Sequence, residues 1–246
     1  MPDIYKHGYE NFKIMSVLFV AQILLGVLPA VLLAIFICAD LYSTPLIGYI
    51  FIAIMVAGAV ANIMISKRYN VLLSGFRGEK SLMRAIKKLK NEDYTVFSNL
   101  PIKYKKNRSE IDFLLVCPDY ILIIEVKNHS GKIYGKHKDD QWLQKKVYRD
   151  GKTTETYMQN PLKQLRRQRD ILKCILSANG LDRWVDTMLY FSSPQVKLYL
   201  DLFDNDNVCS SEKELLEFLS TYKSKSPATK EELEKINNLF KEMHNA

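Results

Sequence analysis

The chain is poor in the residues that staple small folds together. Its 246 residues include four Cys and four His. Cys38, Cys117, Cys174 and Cys209 show no CxxC spacing, and His7, His129, His137 and His244 are scattered, so neither a zinc pattern nor a disulfide framework is present. Cys38 lies in an apolar run, Cys117 ends a strand and Cys174 sits among the apolar residues of a helix. The thiols therefore read as small buried hydrophobes in a reducing compartment. Internal repeats and low-complexity tracts are absent as well. Positive charge is scarce at the start: residues 1–66 hold only Lys6 and Lys13 against Asp3, Glu10 and Asp40, a net charge of −1, whereas the remainder carries +9. A basic domain after residue 66 suggests a polyanionic partner, either nucleic acid or an anionic membrane surface, and charge alone does not separate the two.

What fills the start of the chain is apolar. Ile14 to Cys38 is a run of 25 residues in which only Ser16 and Gln22 are polar, and Pro45 to Ile65 is a second run interrupted mainly by Asn62. Both exceed the ~18 apolar residues that argue a transmembrane helix. The connector Ala39-Asp40-Leu41-Tyr42-Ser43-Thr44 is short, so the two helices are expected to be antiparallel, with Pro29 kinking the first. A cleaved signal peptide fits poorly, because the first run is too long and a second follows. Lys6, Lys13, Lys67 and Arg68 flank the outer ends while the connector has only an acid, so the positive-inside rule puts both ends in the cytoplasm. Gln22 and Asn62 read as a helix–helix hydrogen bond, and the hairpin as an anchor.

The stretch Glu110–Lys127, EIDFLLVCPDYILIIEVK, is two aliphatic strands joined at Pro118-Asp119-Tyr120. Each carries charge where a buried strand should have none. With period two, Asp112, Leu114 and Val116 share one face, as do Ile123, Glu125 and Lys127. The short connector makes the strands antiparallel neighbours, which brings Asp112 near Glu125. Two close carboxylates raise each other's pKa, and a divalent cation removes that cost; hard oxygen ligands favour Mg²⁺ or Mn²⁺ over zinc. Lys127 could orient a water or stabilise developing charge. By itself, however, Glu-x-Lys also suits a solvated strand.

The surrounding elements read as a mixed α/β domain. Ser74 to Glu79 is a breaker-rich start to a helix whose apolar face is Leu82, Ile86 and Leu89. Glu79 projects near that face, either as a site residue or as a first-turn acid complementing the dipole. Tyr94 to Leu100 reads as a strand closed by Pro101. Lys103, Lys105, Lys106 and Arg108 form a basic loop around Tyr104, suited to phosphate or simply to solvent. Lys132 to Gly135 is a further short strand, and Trp142 anchors a loop. Asn160-Pro161 caps a helix with Leu165, Leu172, Ile175 and Leu176 inward. Gln164 and Gln168 sit one turn apart on a neighbouring face beside Arg166 and Arg167. Val185–Phe191 and Val196–Leu202 are later strands. Ser211-x-x-Glu214 and Thr229-x-x-Glu232 open the last two helices.

The order of these parts resembles the nuclease-related domain, NERD, of the PD-(D/E)XK restriction-endonuclease-like superfamily. The resemblance rests on Gly78-Glu79, Ile111-Asp112, Ile124-Glu125-Val126-Lys127-Asn128, Gly131, Trp142 and Asn160-Pro161-Leu162-Lys163-Gln164, and covers about residues 75–191. It implies a central four-stranded mixed sheet flanked by helices, and metal-dependent phosphodiester hydrolysis. Asp112 and Glu125 would be metal ligands and Lys127 the water-positioning base. Glu79 would support the metal from its helix, and Gln164 the phosphate or water. The expected organisation is a transmembrane hairpin over 1–66, with spans of about 14–38 and 45–65. A nuclease-like domain over 67–195 and a C-terminal strand and helical extension over 196–246 follow. The expected function is a nuclease anchored in a bacterial inner or plasma membrane, facing the cytoplasm, using Mg²⁺ or Mn²⁺ and acting on DNA before RNA. Lys103, Lys105, Lys106, Arg108, Arg166 and Arg167 would contact nucleic acid. Two other readings compete: a NERD-fold module that binds nucleic acid or a protein partner without cutting, and a basic face that binds anionic lipid.

Overall fold

A computed structural model describes residues 3–6, 9–39, 45–89, 94–148, 150–222 and 227–245. The chain divides into two compact units, residues 8–76 and a second formed by residues 1–7 together with 77–246.

The first unit is helical. α1 (Tyr9–Cys38) runs through Pro29, and α2 begins at Pro45 and continues to Ile86. Residues 40–44 of the expected connector lie outside the described residues. Ring contacts between Phe36 and Phe51, Phe19 and Tyr69, and Phe12 and Phe76 step in opposite directions along the two helices, which makes them antiparallel. Gln22 Nε2 donates to Ser66 Oγ at 2.8 Å, and Ser66 Oγ donates to Asn62 Oδ1 at 3.3 Å. Gln22 and Asn62 thus form one neutral chain with Ser66 as the link. Both helices are long and apolar enough to cross a bilayer. The expected helix start at residues 74–79 is not there: α2 is helical throughout, since Gly75 and Gly78 each cost a helix interior only about 1 kcal/mol.

The second unit is built on two mixed sheets. The larger has six strands in the order β1 (Asp3–Lys6), β2 (Thr95–Tyr104), β3 (Asn107–Val116), β4 (Ile121–Lys127), β8 (Val185–Phe191) and β10 (Asn207–Cys209). The β2–β3 and β3–β4 pairs are antiparallel, and the other three are parallel. The four-stranded sheet expected from the sequence is therefore too small. β1 and β10 are only four and three residues long and carry no periodic signal of their own. β2 does not stop at Pro101 but pairs with β3 out to Tyr104, so the basic stretch is a strand pair with a two-residue turn rather than a loop. Lys105 in that turn has φ +53°, the left-handed conformation that two-residue hairpins demand.

The second sheet, in the order β7 (Thr153–Gln159), β6 (Gln141–Val147), β5 (Gly131–Lys136) and β9 (Val196–Asp201), follows β4. Trp142 belongs to β6 rather than to a loop; it is fully buried and its Nε1 donates to Lys136 O at 3.0 Å. α3 (Pro161–Ala178) lies across β2, β3, β4 and β8, and α5 (Lys230–Asn245) on β2. These helices and the inner face of the second sheet close one core, which contains Leu114, Ile123, Leu165, Leu172 and Trp142. The last turns of α2 and α4 (Glu212–Thr221) close the other face with Leu82, Ile86, Phe113, Leu122 and Leu215. Cys117 and Cys209 are buried, but Cys38 and Cys174 are exposed, contrary to the expectation of buried thiols. Cys174 falls two residues after Leu172, off the inward stripe of α3.

Candidate functional site

The site begins with strand register. Phe113 pairs with Ile124, so one further step sets Asp112 across from Glu125 on the face covered by α3. There the Asp112 side chain takes over from the backbone ladder: Oδ2 accepts the Val126 N–H at 3.0 Å. Glu125 is 1% exposed, and β8 shields it on its other side through pairing with Leu189. Lys127 returns to the same face two residues on, and its Nζ donates to Glu125 Oε1 at 2.5 Å.

α3 supplies the amides. Asn160 caps it, with Oδ1 accepting from Leu162 N at 2.9 Å and Nδ2 donating to Asp139 O at 2.8 Å, and Pro161 opens the first turn. That cap fixes the helix to the strap before β6, and Gln164 and Gln168 then project one turn apart over β4. Gln164 Nε2 donates to Glu125 Oε2 at 2.7 Å, while its Oε1 accepts from Lys127 Nζ at 3.4 Å. Gln168, fully buried, donates through Nε2 to Glu110 O at 2.7 Å and to Glu125 Oε2 at 3.2 Å. Its Oε1 is buried and has no hydrogen-bond partner among the described residues. Gln168 is therefore part of the constellation, although the sequence reading assigned it no role; its i+4 spacing from Gln164 was the available signal.

Burial dominates the electrostatics. It pushes the Asp112 carboxyl up to about 7, and the charge of Glu125 adds to the shift; the Val126 N–H and the Lys127 ammonium oppose it. Glu79 reaches this end of the sheet from the other face. Gly78 makes that approach possible, because a Cβ there would lie 3.1 Å from Val126 Cγ1 and 3.2 Å from Ser192 Oγ. Burial raises the Glu79 carboxyl as well, opposed by a hydrogen bond from Asn99. Asn99 lies opposite Asp112 in the β2–β3 register and has φ +53°, a conformation Asn tolerates better than most residues. It is a second residue the sequence reading missed, hidden in what looks like an ordinary strand. His129 is lowered by burial and by Lys127 and Lys146.

The structure thus brings Glu125, Lys127 and Gln164 into one hydrogen-bonded group, with Asp112 held beside it by the Val126 N–H and coupled by charge to Glu125, Lys127 and Glu79. Among the described residues no group of three or more His, Cys, Asp or Glu converges as a metal cage. The residues that suit a cation are the two facing carboxylates Asp112 and Glu125. Their mutual repulsion is what a hard divalent ion relieves, and Mg²⁺ commonly takes one or two carboxylates, completing its shell with water and phosphate oxygens.

The candidate phosphate contacts divide into two sets. Lys103, Lys105, Lys106 and Arg108 are exposed along the β2–β3 hairpin. Arg166 and Arg167 line an open groove of about 550 Å³ with Tyr104, Asn107 and Lys163. Arg167 joins the sets by donating to Arg108 O at 2.7 Å. Arg166 is held by His137: its Nη1 meets His137 Nε2 at 3.1 Å, His137 Nδ1 pairs with Asp206, and the imidazole stacks on Phe203. Phe203 and Asp206, in the β9–β10 connection, thus hold His137 against Arg166, a link that no sequence pattern tied to this groove.

No solved structure matches the chain. An uncharacterized protein of Bacillus anthracis is 28% identical over 96 residues, 39% of this chain and 45% of that protein, so the matched region spans less than half of the relative. Residues 74–192, which contain Glu79, Asn99, Asp112, Glu125, Lys127, Gln164 and Gln168, match the family model NERD, nuclease-related domain.

Proposed function

We propose that this protein is a membrane-anchored, cytoplasm-facing nuclease of PD-(D/E)XK type, dependent on Mg²⁺ or Mn²⁺ and acting on DNA in preference to RNA. The observation that carries the reading is the pair of carboxylates, Asp112 and Glu125, facing each other across β3 and β4 with Lys127 and Gln164 on the same face, inside the nuclease-related segment. A divalent cation on this pair would stabilise charge on a phosphoryl oxygen and lower the pKa of a bound water. Lys127 Nζ is the group that holds or moves a proton at the attacking water. Gln164 bridges Lys127 and Glu125 and keeps both in register, and Gln168 locks Glu125 from beneath. Arg166, Arg167 and the hairpin lysines would bind phosphates along the groove and fix the substrate without reading its sequence.

Two features support the anchor. α1 and the first half of α2 carry large exposed apolar side chains along their length, among them Val17, Leu24, Ile52 and Val56, an array suited to lipid rather than water. β1 precedes α1 and pairs with β2, which follows α2; a chain that crosses a bilayer twice returns to the side it left. Lys6, Lys13, Lys67 and Arg68 at the outer ends support the cytoplasm as that side by the positive-inside rule.

The test is cleavage of plasmid and of single-stranded substrates by the full-length protein in detergent, with Mg²⁺ or Mn²⁺ and with EDTA. Metal-dependent cutting that is lost in Asp112→Ala and Lys127→Ala supports the assignment; variants that cut at the wild-type rate would overturn it. A wild type that binds DNA but leaves every substrate intact with either metal would favour the non-cutting module instead.

A further inference from the structure

We propose that the open face of the second sheet binds single-stranded nucleic acid. The claim rests on this face alone and stands whether or not the chain cuts phosphodiesters.

The inner face of this sheet is spent on the core through Ile133, Trp142 and Leu198. Alternation therefore sends the intervening residues outward, and register aligns them in rows across all four strands. Tyr157 pairs with Leu143, Leu143 with Tyr134, and Tyr134 with Tyr199, so β7, β6, β5 and β9 each place one large apolar group in a single row. Tyr157 is 68% exposed and Tyr199 49% exposed, and the rings of Tyr134 and Tyr199 stack at 4.9 Å. Tyr157 and Tyr199 thus leave much of their rings in solvent, with the half-buried Tyr134 stacked beside Tyr199.

The flanking rows decide the partner. On one side Lys145, Lys132 and Lys197 are in register. Lys145 is engaged by Glu155, but Lys132 and Lys197 have no acidic partner among the described residues. Lys132 sits 5.9 Å from the centroid of the Tyr199 ring, at the seam between the rows. On the other side Gln141 and Gln159 pair across β6 and β7. Cations, aromatic faces and amides in parallel rows match the phosphates, base faces and base edges of one unpaired strand. A duplex buries its base faces, and a flat sheet face offers no helix or ribbon to enter a major groove. Anionic lipid would use the lysines but has no use for the paired glutamines or for a row of exposed ring faces.

Full-length protein in phosphatidylcholine nanodiscs, with EDTA present so that no strand is cut, is titrated with a fluorescein-labelled oligothymidylate and followed by anisotropy. Saturable binding is expected, and an unlabelled duplex should compete poorly. Tyr157→Ser with Tyr199→Ser should weaken binding about tenfold or more, whereas Tyr199→Phe retains it, because stacking uses the ring and not the hydroxyl. Lys132→Gln with Lys197→Gln should flatten the slope of log affinity against log salt by about 1.4, the share of two phosphates on a single strand. Circular dichroism confirms that each variant is folded. Oligonucleotide binding that is absent, or unchanged in folded Tyr157→Ser/Tyr199→Ser, overturns the proposal. So does amine labelling of Lys132 and Lys197 that is blocked by phosphatidylserine in the discs but not by the oligonucleotide, which would give the face to lipid.

Discussion

Two regions of this molecule hold polar groups in apolar surroundings, and they solve the problem differently. Between α1 and α2, Gln22, Ser66 and Asn62 satisfy one another with neutral hydrogen bonds. Between β3, β4 and α3, the half-buried Asp112 faces the buried Glu125 with Lys127 as the ammonium beside them, and Gln168 Oε1 is buried without a donor among the described residues. A neutral chain needs no further ligand and costs little to keep. Two facing carboxylates with one ammonium beside them gain from a further proton or cation, and that asymmetry separates a packing device from a candidate active site.

The comparison breaks most directly through activity. Lys127→Ala or Asp112→Asn should lower the cleavage rate by about 10²–10⁴-fold, the range typical of a lost proton-transfer group, whereas Gln22→Leu should leave the rate unchanged. A gel assay on plasmid reads both; equal losses at the two regions would erase the distinction.

The next effect is on stability and its pH dependence. The Asp112 carboxyl titrates near 7 in the folded protein and near 3.8 when unfolded. The folded state therefore holds the proton across that window, and the contribution of this group is fully present below about pH 3.8 and lost as pH rises through about 7. Metal-free wild type should lose more than ~1 kcal/mol between pH 4 and 8 by denaturant titration. Asp112→Asn should remove most of that slope and be the more stable protein at pH 8. Mg²⁺ or Mn²⁺ should raise the melting temperature of wild type more at pH 8 than at pH 5, because cation and proton compete for the same oxygens. A flat wild-type profile would mean that the carboxylates are already compensated within the chain.

Asn99 sharpens the comparison at one remove. Asn99→Ala should cost ~1 kcal/mol from the left-handed backbone and should slow cleavage by releasing Glu79. Asn99→Gly should restore the stability but not the rate. The smallest effect belongs to the neutral chain: Gln22→Leu should change stability in a bilayer by only ~0.6 kcal/mol, measured by unfolding in mixed micelles.

Much of the candidate site was legible because charges in aliphatic strands are costly and therefore conspicuous. Asp112, Glu125 and Lys127 could be placed on one face by period two, and Gln164 by the Asn160-Pro161 helix start. The residues that escaped have ordinary local sequence. Gln168 is one more polar residue on a helix rich in them, Asn99 one polar residue in a strand, and His137 and Asp206 are 69 residues apart. The strands β6 and β7 escaped as well, because their outward faces are polar or aromatic and their inward residues, Trp142 and Met158, are too sparse to show alternation.

The sequence by itself determined the two apolar helices, the mixed α/β character of the rest, and the charged strand pair at its centre. Each is written in local periodicity or in the cost of a buried charge. The tertiary structure decided what lies far apart in the chain: β1 pairing with β2 from the other side of two long helices, six strands in the main sheet where four were expected, and α3 laid over Glu125. It also decided the register that aligns Tyr157, Leu143, Tyr134 and Tyr199. Pairing and register depend on which surfaces meet, and a period of two says which residues share a face but not what that face will touch.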